Sequence, residues 1–362
     1  MLYHSRSLDR LLIYDTRVLI PEFAPQSGVI LTWPHRHSDW AERLASIEPV
    51  YLDIARAVVA HEHLLIICHD TGHRRQVQSA LAAAGIPLGR IVFACIRTND
   101  TWVRDYGPLT VLEDDRPVLL DYVFNAWGDK YSATLDDAVT GSLYASGLFG
   151  TLRYQRLPLV LEGGSIDVDG AGTLLTTSHC LLSPTRNPGL GKPGLEAAFR
   201  EHLGIERVLW LEHGELAGDD TDAHVDMLAR FCSADTIAYI QCLDRDDIHH
   251  APLAAMEQEL RAFRTLAGVP YRLVPLPLPQ AIHDTNGKRL PASHANFLVI
   301  NGAVLLPVYG DPADAIAQQR LQACFADRSI VPINCKPLIQ QYGSLHCATM
   351  QLPAGVLQAA SE

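Results

Sequence analysis

The 362-residue sequence lacks three features that would place it outside the ordinary globular class. No apolar run approaches the roughly 18 residues that a membrane-spanning helix needs, and no linker or long low-complexity stretch interrupts the chain. The eight cysteines contain no C-x-x-C pair and no spacing typical of a disulfide framework. With 48% hydrophobic and 19% charged residues, the composition predicts a compact chain rather than a disordered one.

Basic residues are also scarce, because 29 Lys and Arg stand against 41 Asp and Glu, for a formal charge of −12. This excess argues against nucleic acid or an anionic membrane as a partner, since both attract basic surfaces. Residues 1–6, MLYHSR, lack a basic segment followed by an apolar one, so no secretion signal is expected. Together with the unpaired thiols, this predicts a cytoplasmic protein.

One structural unit recurs along the chain. Four segments, at residues 109–123, 165–177, 227–242 and 296–308, show an apolar strand, a tight polar turn and a second apolar strand, which is the pattern of a β-hairpin. Each is followed by helical periodicity, at 132–148, 193–203, 246–267 and 312–325, and short apolar strands follow at 207–211 and 271–274. Residues 29–96 predict a partial unit of alternating strands and helices.

The spacing of these units is regular. The turn centres are separated by about 56, 65 and 67 residues, and regular spacing of one supersecondary unit predicts a circular or stacked repeat. Five units of about 65 residues fit the length of the chain.

Polar segments stand at the entrances to the hairpins: TNDTWVRDYGP at 98–108, LEGG at 161–164 and GDDTDAHVD at 218–226. A segment predicted to be a strand near the C-terminus carries GSLHCATMQLP at 343–353. If the units surround an axis, equivalent positions face one another across it, so Asp105, Glu162, His224 and Cys347 would converge. Carboxylates, an imidazole and a thiol at one place suit nucleophilic catalysis.

Each of these residues also has a structural interpretation. Taken alone, Cys347 suits a core thiol, Glu162 a turn, and Asp105 an ordinary ion pair with Arg104. The run at 219–221, DDT, is typical of a turn or helix cap.

Two neighbouring pairs depend on strand geometry. His224 and Asp226 stand two positions apart, so on a strand both would point to one face, which also suits a surface pair. His346 adjoins Cys347 but would point to the opposite face of its strand, which makes it a poor base for that thiol.

The polar set also indicates a substrate. Two carboxylates beside one nucleophile repel each other unless a cation lies between them. A guanidinium is planar, permanently charged and donates paired hydrogen bonds to carboxylates. Asp105 and Asp226 could hold its nitrogens while Cys347 attacks the central carbon, so we expect a small cationic guanidino substrate.

Four stretches, WVRDYGP at 102–108, LEGG at 161–164, GDDTDAHVD at 218–226 and GSLHC at 343–347, resemble the agmatine deiminase and bacterial-type peptidyl-arginine deiminase family. Shorter similarities at 31–34, 124–128, 186–188 and 296–297 extend the resemblance over about residues 20–353. It implies an α/β (α+β) pentein fold, a propeller of five pseudosymmetric ββαβ-type units, as a single catalytic domain over residues 1–362. That repeat number agrees with the hairpin spacing.

The resemblance also implies roles for the polar residues. Cys347 matches the nucleophile and His224 the general acid and base. Asp105 and Asp226 match the guanidinium clamp, and Glu162 matches the carboxylate beside the histidine and the amidine nitrogens. Trp102 matches an aromatic position that lines the substrate channel in the family.

The implied reaction converts a guanidino group to a ureido group and ammonia through a covalent thiouronium on the cysteine, with no metal or organic cofactor. Agmatine, which would give N-carbamoylputrescine, is the first expectation, and a peptide-borne or other guanidine is the alternative. A homodimer is compatible with the resemblance. Tyr106, Leu109, Ser344 and Leu345 depart from the agmatine deiminase pattern beside the catalytic positions, which leaves the substrate tail open.

Two other functions are weaker hypotheses. A metal-dependent hydrolase would use some of sixteen histidines, which include pairs at 35/37, 61/63 and 69/73, but these pairs lack a third ligand at a recognisable spacing and no H-E-x-x-H is present. A protein that binds guanidines without turnover is the other, and the presence of all five expected polar residues argues against it.

Overall fold

A computed structural model describes residues 17–357. Residues 1–6, on which the expectation about a secretion signal rests, lie outside the described residues. In chain order the strands are β1 (Arg17–Leu19), β2 (Gln26–Thr32), β3 (His63–Cys68), β4 (Ile91–Cys95), β5 (Leu109–Glu113), β6 (Arg116–Val123), β7 (Arg153–Val160), β8 (Ile166–Val168), β9 (Thr173–Thr177), β10 (Arg207–Leu211), β11 (Ala229–Ser233), β12 (Thr236–Gln241), β13 (Arg272–Pro277), β14 (Leu298–Ile300), β15 (Ala303–Val308), β16 (Ser329–Asn334) and β17 (Thr349–Pro353).

The helices are α1 (Leu44–Val59), α2 (Thr71–Ala83), α3 (Val103–Tyr106), α4 (Ala126–Asp129), α5 (Val139–Ala145), α6 (Ser178–Leu181), α7 (Lys192–Leu203), α8 (His250–Ala262) and α9 (Pro312–Cys324). Short 3₁₀ turns lie at Ala41–Arg43, Leu88–Arg90, Gly163–Ser165, Val225–Met227 and Leu338–Gln341. Within residues 17–357, no helix is both long enough and apolar enough to cross a membrane.

Four of the five sheets repeat one pattern and confirm the predicted hairpins. An antiparallel hairpin is followed by a strand that lies parallel to its second member: β5–β6 then β7, β8–β9 then β10, β11–β12 then β13, and β14–β15 then β16. The parallel strand is reached through a helical connection, because parallel neighbours need a long crossover. β1 adds a further antiparallel strand beside β5.

The fifth sheet is built from both ends of the chain. β17 pairs antiparallel with β2, and β2 and β3 continue in parallel to β4. The partial unit predicted at residues 29–96 is therefore completed by the C-terminal strand, which supplies the missing half of its hairpin.

The five sheets form a closed ring through their connecting elements. α7 packs on β1, α8 on β10, α9 on β13 and α1 on β16, while α3 contacts β2 and β17. Each sheet therefore touches the next, and the last touches the first. The ring buries apolar strands on both faces, as in β2 and β3, whose residues from Val29 to Leu31 and from Leu64 to Cys68 are fully buried.

Local side chains set several helix ends. Asp70 caps α2 by accepting from the His73 N–H at 2.8 Å, and Asp311 with Asp314 forms a capping box at α9. The helix predicted at 132–148 is shorter, and begins only at Val139. The segment before it is not helical, because two of its aspartates bond to distant backbone amides. Asp136 accepts from the Asn99 N–H and Asp137 from the Phe124 N–H, each at 2.7 Å.

Candidate active site

The four polar side chains predicted to converge meet at the centre of the ring, and Asp226 joins them there. Asp105 lies in α3, Glu162 precedes the Gly163–Ser165 turn, and Cys347 lies in the turn before β17. His224 immediately precedes the Val225–Met227 turn, and Asp226 lies within it. All five are buried, Cys347 being the most exposed at 6%.

The local backbone differs from the predicted strands at two places. Cys347 is not on a strand, because the N–H groups of Ala348 and Thr349 bond back to the carbonyls of Ser344 and His346 and so form a turn. The segment of His224 is likewise a 3₁₀ turn and not a strand. Turns rather than pleated strands point these side chains toward the axis, so the surface-pair interpretation was wrong.

The thiol lies among polar groups from two other sheets. Asn296 Nδ2 lies 3.4 Å from Cys347 Sγ, and Asp226 Oδ2 lies 3.7 Å from it. Burial and the charges of Asp226 and Asp105 raise the pKa of Cys347 well above its usual range. Beside these carboxylates the sulfur is therefore held as a neutral thiol, and a cation placed between them would favour the thiolate.

The imidazole of His224 bridges two carboxylates. Its Nε2 donates to Glu162 Oε2 across 3.1 Å, and its Nδ1 lies 3.7 Å from Asp105 Oδ1. Burial lowers the pKa of His224, but the charge of Asp105 and the bond to Glu162 outweigh burial and raise that pKa well above its ordinary value. The ring is therefore protonated near neutral pH and able to act as an acid.

A buried arginine fixes the carboxylate behind the histidine. Arg186 Nε lies 3.0 and 2.8 Å from the two oxygens of Glu162, and its other nitrogens bond to Asp222 and to the Thr221 carbonyl. Burial raises the pKa of Glu162, yet the bonds and charges of His224 and Arg186 bring it below its ordinary value. Glu162 thus stays ionised and stabilises the charged imidazole.

Asp105 is held by a backbone amide and an indole. Its Oδ1 accepts from the Gly164 N–H at 2.8 Å and its Oδ2 from Trp127 Nε1 at 2.9 Å, not from Arg104, the ion-pair partner considered from the sequence. Trp127 sits in α4 with φ +57°, a left-handed conformation that costs a non-glycine residue about 1–2 kcal/mol. That strain is retained where it delivers a hydrogen bond to the site.

Two buried polar atoms in this site have no hydrogen-bond partner among residues 17–357. They are Asp226 Oδ1 and His224 Nδ1. Because buried polar atoms without a partner cost about 1–3 kcal/mol each, their presence beside the Cys347 thiol indicates groups that a ligand completes. An acceptor oxygen and a donor nitrogen are what a guanidinium and its departing ammonia require.

A cleft leads from the surface to Cys347 and Asp105. Trp102 and Trp127 form its walls, and the ring of Trp102 packs so close to Gly343 that a Cβ there would lie 2.5 Å from Cζ3. The remaining lining residues are Asp39, Asp100, Tyr131, Asp220, Thr221, Gln341 and Tyr342. Trp102 thus lies where the resemblance placed it.

The four departures from the agmatine deiminase pattern are buried beneath this cleft. Tyr106 donates through its hydroxyl to the Asp100 carbonyl at 2.8 Å, and Ser344 is bonded to Tyr309 at 3.0 Å. None of the four is among the described residues that line the cleft. These four positions therefore do not form part of the described surface of the cleft.

The acid limb of the pH profile is expected to depend on Asp105. Burial and the charges of Asp226 and Glu162 raise the pKa of Asp105 to about 6. Below that pH the carboxyl is protonated and cannot pair with a guanidinium, so kcat/KM should fall up to about tenfold per pH unit. Initial rates from pH 4.5 to 8 at low substrate measure this.

The same series at saturating substrate is the control, because a bound cation keeps Asp105 ionised and should protect kcat. The pKa values of Glu162 and Asp226 are lowered, so neither predicts this limb. Burial also raises the pKa of Asp100 in the same cleft to about 6, so Asp100→Asn is needed beside the wild type to assign the limb to Asp105. A kcat/KM that is flat between pH 5 and 7 would contradict the prediction.

Four of the histidines considered as metal ligands gather in a separate surface pocket. The ring centroids of His35 and His69 lie 4.3 Å apart, and those of His37 and His69 lie 4.9 Å apart. Two of their ring nitrogens have partners, since His35 Nε2 bonds with Thr98 Oγ1 at 3.0 Å and His73 Nδ1 accepts from the His69 N–H at 3.1 Å. Among the described residues, His69 Nδ1 is buried without a partner. The remaining pair, at 61 and 63, lies at the opposite end of β3.

Over residues 17–357, one set of three ligand-type side chains has ligand atoms within 4.8 Å of one another: Glu162, Cys180 and His224. Arg186 already bonds to both oxygens of Glu162. A metal ion there would face a guanidinium, so the donor set suits an ion pair better than a metal.

Four residues of the site were not predicted as functional from the sequence. Asn296, Arg186 and Trp127 stood inside short segments of the family resemblance but carried no assigned role, and Gly164 was taken as part of the turn after Glu162. Asn296, Arg186 and Trp127 are distant in sequence from Cys347, Glu162 and Asp105, which they respectively contact. Their position in matched motifs was the only signal in the sequence.

Comparisons with known proteins agree with this geometry. A family model described as Porphyromonas-type peptidyl-arginine deiminase matches residues 18–353. An agmatine deiminase from Stutzerimonas stutzeri (strain A1501) is 32% identical over 356 residues, covering 92% of this chain and 94% of that protein.

Solved structures extend the likeness to the fold. A candidate arginine deiminase from Porphyromonas gingivalis matches with a TM-score of 0.89 at 46% identity, covering 94% of this chain and 100% of that one. A Cys-to-Ser variant of the C. jejuni agmatine deiminase with substrate bound matches with a TM-score of 0.87 at 35% identity, covering 94% and 97%. The predicted pentein fold is thereby confirmed.

Proposed function

Because the chain belongs to the Porphyromonas-type peptidyl-arginine deiminase family, and is accordingly a hydrolase of linear amidines, we propose that its substrate is agmatine. The products are N-carbamoylputrescine and ammonia. Named relatives in this family act on agmatine. For this chain, the negative charge of the cleft supports the proposal.

The mouth of the cleft is acidic. Asp39, Asp100 and Asp220 line it above Asp105, and the described lining residues include no lysine or arginine. Agmatine carries an ammonium at the end opposite its guanidinium, so both of its ends meet carboxylates. Two lysines stand beside Asp220 without lining the cleft: Lys130 Nζ is bonded to Asp222 Oδ1 at 2.7 Å, and Lys288 lies over the ring of Tyr342. Free arginine would bring its α-carboxylate against the three acids, and a peptide arginine would leave them without a counter-charge.

The first half of the reaction releases ammonia. Asp226 Oδ1 and the Asp105 carboxylate bind the guanidinium, whose charge allows Cys347 to release its proton to solvent and become a thiolate. The sulfur attacks the central carbon and forms a C–S bond, giving a tetrahedral adduct. His224, protonated and held by Glu162, gives its proton to one nitrogen, which leaves as ammonia from a covalent thiouronium.

The second half uses the same histidine as a base. Neutral His224 takes a proton from water as its oxygen attacks the thiouronium carbon. Collapse of the second adduct breaks the C–S bond and returns the electron pair to sulfur, and a ureido product leaves. The sum is guanidinium and water to urea and ammonium, so the residues named need no redox partner.

Substrate choice is tested by a ureido assay on agmatine, free arginine and a blocked arginine peptide. We expect agmatine to give the highest kcat/KM. Arginine winning would contradict the acidic-mouth argument, and the peptide winning would place this chain with the peptidyl enzymes. Tight binding of all three without ammonia release would instead support a protein that only binds guanidines.

Replacing Asp220 by Asn isolates the recognition of the tail. Asp220 Oδ2 accepts from the Tyr131 hydroxyl at 2.8 Å, a bond that the Asn oxygen can keep. We expect KM for agmatine to rise about tenfold, equivalent to about 1.4 kcal/mol, because one carboxylate facing the ammonium is lost. KM for butylguanidine, which lacks the ammonium, should change little.

The matched control is Asp115→Asn. Asp115 is exposed at a hairpin turn with φ +62°, which Asn tolerates, and it should leave both KM values unchanged. Equal effects of Asp220→Asn on agmatine and butylguanidine would contradict the assignment of the ammonium to the cleft mouth.

A further inference from the structure

The residue next to the nucleophile lies between two carboxylates. His346 Nδ1 is 2.8 Å from Asp226 Oδ2, and His346 Nε2 is 2.6 Å from Glu22 Oε2. The ring is 2% exposed. As the sequence predicted, it is no base for the thiol, since both of its nitrogens are bonded to carboxylates.

Only one state of the ring satisfies both contacts. A neutral imidazole has one N–H and one lone pair, and its lone pair would face a carboxylate oxygen. With a proton on both nitrogens, the ring donates to Asp226 and to Glu22 at once. The two carboxylates therefore fix the orientation of His346, and His346 fixes theirs.

Glu22 is itself anchored from three directions. Its Oε1 accepts from the Val299 N–H at 2.7 Å, and its Oε2 accepts from Arg230 Nη2 at 2.9 Å as well as from His346. Arg230 is anchored in turn by Asp167, whose Oδ2 accepts from Nε at 2.8 Å. Burial raises the pKa of Glu22, but Arg230 and His346 outweigh burial and hold it far below its usual range.

Charges of alternating sign thus run from Asp167 through Arg230, Glu22 and His346 to Asp226. The last member faces the substrate. Asp226 Oδ2 is bonded to His346, and Oδ1 has no partner in the part of the chain that the structure describes. A carboxylate held by one oxygen cannot rotate without losing that bond, so its free oxygen keeps a fixed direction.

We propose that His346 and Glu22 are positioning residues, which hold Asp226 so that its free oxygen meets the guanidinium. Neither touches the reacting atoms. The proposal rests on the proposed function, because it assigns to Asp226 the task of binding the substrate cation. Without this support the carboxylate would turn and the guanidinium would bind in several orientations.

Glu22→Gln tests the proposal with little change in volume. We expect KM for the substrate to rise about tenfold, with kcat changed less than about threefold, because ground-state binding by Asp226 is disturbed first. Glu62→Gln is the matched control. Glu62 is a buried carboxylate that accepts from the Asn301 N–H at 2.9 Å in the same sheet as Val299, but is not bonded to His346 or Arg230.

A merely structural role would lower thermal stability in both variants and leave KM alone. The distinguishing measurement is a double-mutant cycle with His346→Gln. If Glu22 acts through His346, Glu22→Gln should change KM less than about twofold once His346 is already replaced. Glu62→Gln should have the same small effect in both backgrounds.

Two results would overturn the proposal. One is an unchanged KM in folded Glu22→Gln, and the other is an equal KM effect of Glu22→Gln with and without His346. If His346→Gln fails to fold, the test is the KM of Glu22→Gln divided by the KM of Glu62→Gln. We expect a ratio of about ten, and a ratio of about one would contradict the proposal. The assay uses whichever guanidine the wild-type enzyme turns over, so a failure of agmatine as substrate is seen separately.

Discussion

Replacement of Cys347 by alanine should reduce ammonia release to less than about a thousandth of the wild-type rate. Without the sulfur no covalent adduct can form, and water alone would have to attack a guanidinium. Loss of a nucleophile removes several orders of magnitude even when binding groups remain. A coupled ammonia assay with agmatine, run beside ureido detection, measures the loss.

Binding should survive this substitution. Asp105 and Asp226 keep their positions, because their bonds to Gly164, Trp127 and His346 do not involve the thiol. Titration calorimetry of Cys347→Ala with agmatine should therefore show a complex that does not turn over.

Cys95→Ala is the control for loss of a thiol as such, since Cys95 is exposed at the end of β4. It should retain wild-type activity. Activity near wild type in Cys347→Ala would refute the assignment of the nucleophile.

A single methyl group at Gly164 should inactivate the enzyme nearly as well. A Cβ there would lie 2.7 Å from His224 Nδ1, 2.9 Å from Asp105 Oδ1 and 3.1 Å from Asp226 Oδ2. These three side chains would have to move apart, and misplacement by about 1 Å can cost 10²-fold in rate. We expect kcat/KM to fall at least about 100-fold, measured by initial rates.

The protein should remain folded, because overpacking of this kind costs about 1–3 kcal/mol. Gly89→Ala is the matched control, since a Cβ there meets no atom within 4 Å. It should leave both activity and thermal unfolding unchanged. A folded Gly164→Ala enzyme with kcat/KM near wild type would show that the three groups need not be so closely packed.

Cys347 and Gly164 belong to one tightly packed acidic site. The site holds several buried acids around a neutral thiol, and burial together with the charges of Asp226 and Glu162 raises the pKa of Asp105 to about 6. Binding of a cation relieves the repulsion and ionises the nucleophile at the same time. The acidic groups therefore make reactivity depend on the presence of substrate.

Much of the fold could be predicted from the sequence because it is locally encoded. Hairpins depend on period-two apolar patterns joined by turns such as Asn301-Gly302, and the helices depend on apolar spacing within a dozen residues. Both signals were sufficient to place four repeats. The helix at Val139 began later than predicted because the two preceding aspartates bind distant backbone amides, which local periodicity does not register.

The candidate site was predictable in part. Asp105, Glu162, His224 and Cys347 were singled out because they stand at equivalent places in the repeats and in family motifs. Asp226 was singled out because it follows His224 by two positions in one of those motifs. The backbone was predicted wrongly around His224 and around Cys347, where the structure has turns instead of strands. Over so few residues, the apolar and polar pattern of a strand cannot be told from that of a turn.

The sequence by itself determined the repeating unit, the polar residues at its entrances and the excess of acid, all of which depend on neighbours along the chain. Only the tertiary structure decided that β17 closes the fifth sheet with β2, and that Glu22 reaches His346 across 324 positions. Such contacts form because ring closure brings the chain ends together. No local pattern encodes which distant carboxylate will meet an imidazole once the apolar strands are buried.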